Sequence, residues 1–426
     1  MTRIKITPTK LKGTVTVPPS KSLAHRAIIC ASLAKGKSHI DNIEYSQDIL
    51  ATIDAMKALG TSIIKGDNYL DIDGSTTYTK DKIEIDCKES GSTLRFMIPI
   101  SLVKKNMIHY IGEGNLGKRP LDTYFDIFDN QGIEYIRKED ILDMYIIGNL
   151  KEDTFKIPGD ISSQFITGLL FALPLLEKDS KIIITSTLES KGYIDLTLDM
   201  LRLYGIEIIN KDYQEFIIKG SQEYKPQDYR VEADFSQAAF YLVAGAIGND
   251  ITLTDLNLNS LQGDKEIISI LKRMGASIQT NSIGVKMIAT SLNQVDVDAS
   301  QCPDVIPVAS VALALAKGTS KVFNARRLRI KECDRLSAVV KELNKLGVKA
   351  SEGQDSFTIE GTNRFNGSEA CSYDDHRMAM MLAIASSRSD RPIYIDNKEC
   401  VKKSYPSFWE DFKKLGGKFD ECNIQK

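Results

Sequence analysis

The sequence predicts a soluble α/β protein of two domains, each holding three copies of one repeated unit. Two interleaved sets of helical segments and the chain length lead there. At 426 residues the chain exceeds one ordinary hydrophobic core and suits two domains of roughly 200 residues each. The first set reads IDAMKALG-TSI, FDIFDNQG-IEY, LDMLRLYG-IEI, ISILKRMG-ASI, VKELNKLG-VKA and WEDFKKLG-GKF: an amphipathic helix, a glycine, then a strand. The glycines are Gly60, Gly132, Gly205, Gly275, Gly347 and Gly416, and the interval between neighbours is nearly constant. Glycine suits the left-handed position that closes a helix, and six at one period are a repeat.

The second set falls between these. Its segments open on Ser20, Ser90, Ser162, Asp234, Asp304 and Asp374, at the same nearly constant interval. Serine and aspartate are favoured N-caps because their oxygens accept from the free N–H groups of the first turn. The helices that follow are apolar nearly all round and are expected to be buried, whereas the first set should lie outside. Short strands such as KIEID, KIIIT and DITLT complete each unit. Six units over two domains give three per domain, in layers of buried helix, sheet and surface helix. Crossovers are expected at Pro18–Pro19 and near Arg230. The domains are thus residues 20–230 and residues 1–19 with 231–426, the first strand pairing with the C-terminal half.

Composition narrows the function. A net charge of −2 argues against nucleic acid as the main partner, so any anion site must be a local cluster of Lys and Arg. The seven cysteines are scattered and never spaced C-x-x-C, which favours reduced thiols over a disulfide framework or a zinc site. No apolar stretch is long enough to span a bilayer, and the N-terminal segment lacks a signal-peptide core. A cytoplasmic protein is expected.

The unusual polar residues sit where the second set of helices begins. Lys21, Ser22 and Arg26 open the first, Gly91, Ser92 and Arg95 the second, and Ser163 and Gln164 the third. Asp304 opens the fifth, and Asp375, His376 and Arg377 the sixth. Helix N-termini attract anions, and cations added there make a site for phosphates and carboxylates. A lone Lys or Arg at a helix end is ordinarily just solvated. Several at one phase of a repeat point to a cleft lined by helix starts. Two acids stand among them. Asp304 could be an N-cap only, and Glu332 could simply pair with Lys331 and Arg335; either could also serve as a general acid or base.

Two other motifs carry less. Gly112 to Gly117 matches G-x-G-x-x-G but falls inside a repeat, at the phase of an ordinary loop, not at the start of a parallel-sheet domain. Gly36-Lys37-Ser38 lacks the glycine of a P-loop, since Ala31 stands five places before Gly36, and it ends a helix.

The chain resembles the 5-enolpyruvylshikimate-3-phosphate synthase family from end to end. The matching motifs are P-P-S-K-S-L-A-H-R from Pro18, E-S-G-S-T-L-R from Glu89, K-R-P from Lys118 and S-S-Q-F from Ser162. S-K-G-Y-I-D from Ser190, C-P-D from Cys302, R-I-K-E-C-D-R from Arg329, D-D-H-R-M-A-M from Asp374 and K-K-S-Y-P from Lys402 follow in the family's order. The resemblance implies a two-domain inside-out α/β barrel, each domain of three β-α-β-α-β-β units that close on substrate. It implies that Lys21, Ser22, Arg26, Ser162, Ser163, Gln164, Ser190 and Tyr193 contact shikimate 3-phosphate, with Asp304 and Lys331 at its hydroxyls. Lys21, Gly91, Arg119, Gln164, Arg335, Arg377 and Lys403 would contact phosphoenolpyruvate. Asp304, Glu332 and Lys21 would handle protons. No step of that reaction calls for a metal or cofactor, and the expected form is a monomer. Glu89-Ser90 stands where many members have Asn-Ala or Asn-Ser, and Arg327 where some have an Asn. Gly91 keeps the small residue beside which glyphosate binds in the family, so sensitivity is expected. The sister transferase acting on UDP-N-acetylglucosamine is disfavoured. It carries Lys-Asn and a loop cysteine where this chain has Lys21-Ser22 and Gly114.

Overall fold

A computed structural model describes residues 2–80, 83–104 and 107–422. The chain divides into two compact units, an inserted unit Pro19–Val231 and a flanking unit formed by Met1–Pro18 with Glu232–Lys426.

The inserted unit holds α1 (Lys21–Leu33), α2 (Gln47–Ala58), α3 (Gly91–Ser101), α4 (Asp122–Gln131), α5 (Ser163–Ala172) and α6 (Lys191–Leu203). Three four-stranded sheets accompany them among the described residues. In the middle repeat, Ile83–Asp86 runs parallel to Met107–Ile111 across α3. Asp143–Ile147 then pairs antiparallel with both Met107–Ile111 and Glu134–Arg137. That is a β-α-β-α-β-β unit. Period-two alternation sets its faces. Ile85, Tyr110 and Met144 share the buried row, while Glu84, His109 and Tyr145 share the outer one. Lys82, the first residue of the expected KIEID strand, lies outside the described residues. The first repeat borrows its opening strand from the unit's end, since Tyr229–Arg230 pairs parallel with Lys37–Asp41.

The flanking unit repeats the plan with α7 (Phe235–Ala246), α8 (Glu266–Arg273), α9 (Ile306–Leu313), α10 (Arg335–Lys345), α11 (His376–Ser386) and α12 (Phe408–Lys414). Both N-terminal strands belong to it: Arg3–Thr7 pairs with Ile393–Ile395 and Lys418–Cys422, and Lys12–Thr16 runs parallel to Asp250–Thr254. The other unit is therefore inserted inside its first repeat, between a strand and α7.

The two helix sets differ in burial. α7, α9 and α11 bury every residue and pack on one another. In the inserted unit α3 and α5 pack on each other and bury every residue but Ser92 and Gln164. Each fully buried Leu or Ile there contributes roughly 1.5–3 kcal/mol. The first set lies outside with an exposed stripe, but α2 exposes only Gln47 and Asp54. Its buried face includes Asp48 and Thr52. All six closing glycines take positive φ, from 68° at Gly132 to 111° at Gly60. There an L side chain would crowd the following carbonyl.

Four of the six expected N-caps are as read: the Ser20, Ser90, Ser162 and Asp234 side chains each accept from a first-turn N–H. Two are corrected. α9 begins at Ile306 with Val305 at the cap, because Pro307 pre-sets the helical φ there, and the Asp304 carboxylate is drawn to three cations. The cap of α11 is Asp375, which accepts from the Arg377 N–H at 2.9 Å; Asp374 sits at φ 53° and accepts from Asn397 instead. All seven cysteines are free thiols. Among the described residues, no helix is long and apolar enough to cross a membrane.

Candidate active site

In the inserted unit the starts of α1, α3 and α5 carry the expected residues. Lys21, in the first turn of α1, donates from Nζ to the Asp48 carboxylate of α2 at 2.6 Å. Arg26, one turn on, is buried, and burial pushes its guanidinium down to about 10, against the opposing effect of Tyr193. It is held on three sides. Nε donates to Thr197 Oγ1 at 2.9 Å, Nη1 to the Ser22 carbonyl at 2.7 Å and Nη2 to the Tyr193 carbonyl at 2.9 Å. Thr197 and Tyr193 are four apart on α6, so one face of that helix meets α1. Ser190, ahead of α6, is buried in the left-handed region at φ 54°. That is an uncommon conformation for a residue with a side chain.

A second group gathers at α3 and α5. Gln164 donates from Nε2 to Ser92 Oγ at 2.8 Å and accepts from Arg95 Nη1 at 2.9 Å. Arg95 also donates to the Pro120 carbonyl at 3.0 Å, which draws the Lys118–Arg119–Pro120 loop against the helix start. Gly91 leaves room for that approach. A Cβ built there would overlap the Arg119 guanidinium and lie 3.1 Å from Arg95 Nη1. Ser162 caps α5 by accepting from the Gln164 N–H at 3.3 Å, and Ser163 is buried beside it.

The flanking unit brings its charged residues together around Arg335, which is 1% exposed. Nε donates to Asp375 Oδ2 at 2.7 Å, Nη1 to Asp304 Oδ1 at 2.8 Å and Nη2 to Glu332 Oε2 at 2.7 Å. One planar guanidinium thus fixes three carboxylates, as its fork of donors permits and an ammonium does not. Asp304 receives two more cations, Lys331 Nζ at 3.0 Å and Arg377 Nη2 at 3.5 Å. Burial alone would raise the Asp304 carboxyl. Lys331, Arg377 and Arg335 outweigh it and hold the group well below the usual carboxylate range. Burial lowers the Lys331 ammonium to about 8, with Asp304 opposing and Arg327 and Arg335 adding. Arg377 also donates to Ser236 Oγ at the start of α7. Lys403 is buried at the end of the turn Lys398–Lys403, and its neighbour Ser404 accepts from Gln237 of α7 at 2.7 Å.

Each unit therefore collects its own share of the sequence-predicted residues. Asp48, Thr197 and Ser236 do not stand out in the sequence because each is an ordinary helix residue there. The signal for Asp48 is an acid on the apolar stripe of α2, where a charge needs a partner.

Two compact units of three repeats place this chain in a fold that solved structures share. The enolpyruvyl transferase NikO of Streptomyces tendae has this fold, at a TM-score of 0.79 and 15% identity over 99% of this chain and 98% of that one. A solved EPSP synthase from Acinetobacter baumannii matches at a TM-score of 0.83 and 25% identity, over 99% of this chain and all of that one. The family model for EPSP synthase (3-phosphoshikimate 1-carboxyvinyltransferase) matches residues 6–412. The 3-phosphoshikimate 1-carboxyvinyltransferase of Clostridioides difficile (strain 630) is 56% identical over 437 aligned positions that cover the whole of both chains. The chain belongs to the EPSP synthase family, as its nine motifs led us to expect.

Proposed function

We propose that the chain transfers the enolpyruvyl group of phosphoenolpyruvate to the 5-hydroxyl of shikimate 3-phosphate, releasing phosphate. The observation that carries the chemistry is the pair of acids, Asp304 and Glu332, both anchored on the buried Arg335. In the addition step the methylene carbon of phosphoenolpyruvate takes a proton, the 5-oxygen bonds to the enol carbon and the 5-hydroxyl gives up its proton. In the elimination step the phosphate C–O bond breaks and the methyl carbon returns a proton. Asp304 is ionised at neutral pH, so it enters as an acceptor and not as the first donor. Glu332 and Lys21 are the other groups assigned to proton transfer.

Cations are needed because two anionic substrates must be held together against their repulsion. Lys21, Ser22, Arg26, Ser162, Ser163, Gln164, Ser190 and Tyr193 are assigned to shikimate 3-phosphate, with Asp304 and Lys331 at its hydroxyls. Lys21, Gly91, Arg119, Gln164, Arg335, Arg377 and Lys403 are assigned to phosphoenolpyruvate. Arg335 gives four donor contacts to carboxylates, so its part toward phosphoenolpyruvate is to orient the acids as much as to bind. The enzyme acts as a cytoplasmic monomer, which light scattering of the purified protein checks. The functional test is phosphate release from shikimate 3-phosphate and phosphoenolpyruvate. No release, with turnover of UDP-N-acetylglucosamine instead, overturns the assignment.

A further inference from the structure

His25 belongs to the motif that carries Lys21 and Arg26, yet it has no part in the chemistry above. It lies one turn beyond Lys21 on α1, and Thr52 lies one turn beyond Asp48 on α2. The Lys21–Asp48 ion pair at the helix mouths is therefore followed, deeper in, by His25 Nδ1 at 2.7 Å from Thr52 Oγ1. Thr52 Oγ1 is in turn 2.7 Å from Thr93 Oγ1 of α3, and Thr93 Oγ1 donates to Ser90 Oγ at 2.8 Å. Ser90 is the N-cap of α3 and also accepts the Thr93 N–H. His25, Thr52, Thr93 and Ser90 are all between 0% and 1% exposed, so water does not compete for these bonds.

The direction of the chain follows from its last link. Thr93 gives its hydroxyl proton to Ser90, so Thr52 must donate to Thr93, and His25 must donate from Nδ1 to Thr52. Nε2 is then the bare nitrogen, and it is buried with no hydrogen-bond partner. A protonated ring would place a second N–H in that spot with nothing to receive it. Burial drives the imidazole down to about 3; Asp48 opposes this, and Lys21 and Arg26 reinforce it. The ring is a neutral donor with one fixed tautomer. At the far end of the chain, Ser90 precedes Gly91, the residue against which the Arg119 guanidinium is pressed.

We propose that His25 is a positioning residue: through Thr52 and Thr93 it fixes the Ser90 cap and so the placement of Gly91 against Arg119. The link to phosphoenolpyruvate rests on the functional reading above, which assigns Gly91 and Arg119 to that substrate. Thr52 gives the sharpest test, because its two conservative replacements separate hydrogen bonding from packing. Thr52→Ser keeps the hydroxyl and loses a methyl; Thr52→Val keeps the shape and loses the hydroxyl. The network predicts KM for phosphoenolpyruvate raised about fivefold to tenfold in Thr52→Val, the effect of one buried hydrogen bond. It predicts little change in kcat or in KM for shikimate 3-phosphate, and near wild-type values for Thr52→Ser. The reverse order, or two variants alike, means that Thr52 only fills space and overturns the proposal. A second measurement needs no variant. Nitrogen-15 NMR of the four histidines, labelled in the intact protein, should show one ring as the Nδ1–H tautomer with no titration between pH 5 and 8. A His25 ring carrying its proton on Nε2, or titrating in that range, also overturns it. Absence of turnover in the unsubstituted protein would instead sink the functional reading and leave the tautomer to judge the network.

Discussion

Replacing Arg335 by methionine should unfold the flanking unit far more easily than replacing any surface cation. Arg335 is 1% exposed and donates to Asp375, which is fully buried, and to Asp304 and Glu332. Methionine fits the volume but leaves these acids without their shared cation. Removing one partner of a buried ion pair costs about 3–5 kcal/mol, because the remaining charge is left uncompensated. Asp304 retains Lys331 and Arg377, so its share of the loss is the smaller. Asp375 keeps the Arg377 N–H of its helix cap and the weak donor of the Cys333 thiol, so its share is the larger. Urea unfolding followed by tryptophan fluorescence reports on the right place, since the single tryptophan, Trp409, is in α12 of this unit. The expected result is a loss of about 3–5 kcal/mol. Arg335→Lys should recover only part of it, because one ammonium cannot span three carboxylates. A loss below about 1 kcal/mol, the value of a surface pair, would refute the idea that Arg335 organises the acids.

Three further outcomes follow from the same geometry. Lys331, lowered to about 8, is charged below that pH and neutral above it, so interactions that need its charge are lost as pH rises through about 8. The alkaline limb of kcat/KM should fall there, and Lys331→Arg should move it upward; an unmoved limb would assign it to another group. Gly91→Ala pushes on the Arg119 guanidinium, the mobile end of a side chain. A penalty of about 1–2 kcal/mol should raise KM for phosphoenolpyruvate roughly fivefold to thirtyfold with little change in melting temperature, which paired kinetics and calorimetry check. Asp304→Ala should keep binding of both substrates by calorimetry and lower kcat by roughly 10²- to 10⁴-fold, the usual worth of a positioned acid or base. Unchanged turnover would reduce Asp304 to a structural group.

Much of the fold was legible because a repeat multiplies weak signals. The positive φ at Gly60 or Gly347 is unreadable from either segment alone, yet six glycines at one spacing announce six helix ends. The helix starts were legible where one side chain caps them, at Ser20, Ser90, Ser162 and Asp234. They differ from the expectation at Asp304, whose carboxylate meets three cations, and at Asp374, where the next residue, Asp375, takes the cap. The site was legible in its cations and opaque in its supports. Nothing in the sequence says that Asp48 meets Lys21, that Thr197 meets Arg26, or that Arg335 gathers three acids, since such pairings depend on which helix faces meet. The motif around Lys21 includes His25, but periodicity gives it only a place on a buried helix. Its hydrogen-bond direction needed Thr52 and Thr93, which stand on two other helices, α2 and α3.

The most direct measurement is to run the purified protein with shikimate 3-phosphate and phosphoenolpyruvate in heavy water and take the mass spectrum of the product. Addition followed by elimination predicts shikimate 3-phosphate enlarged by one enolpyruvyl group, with solvent deuterium in its methylene and phosphate released in equal amount. An unenlarged shikimate 3-phosphate, or an enlarged one that carries no deuterium, would contradict the account.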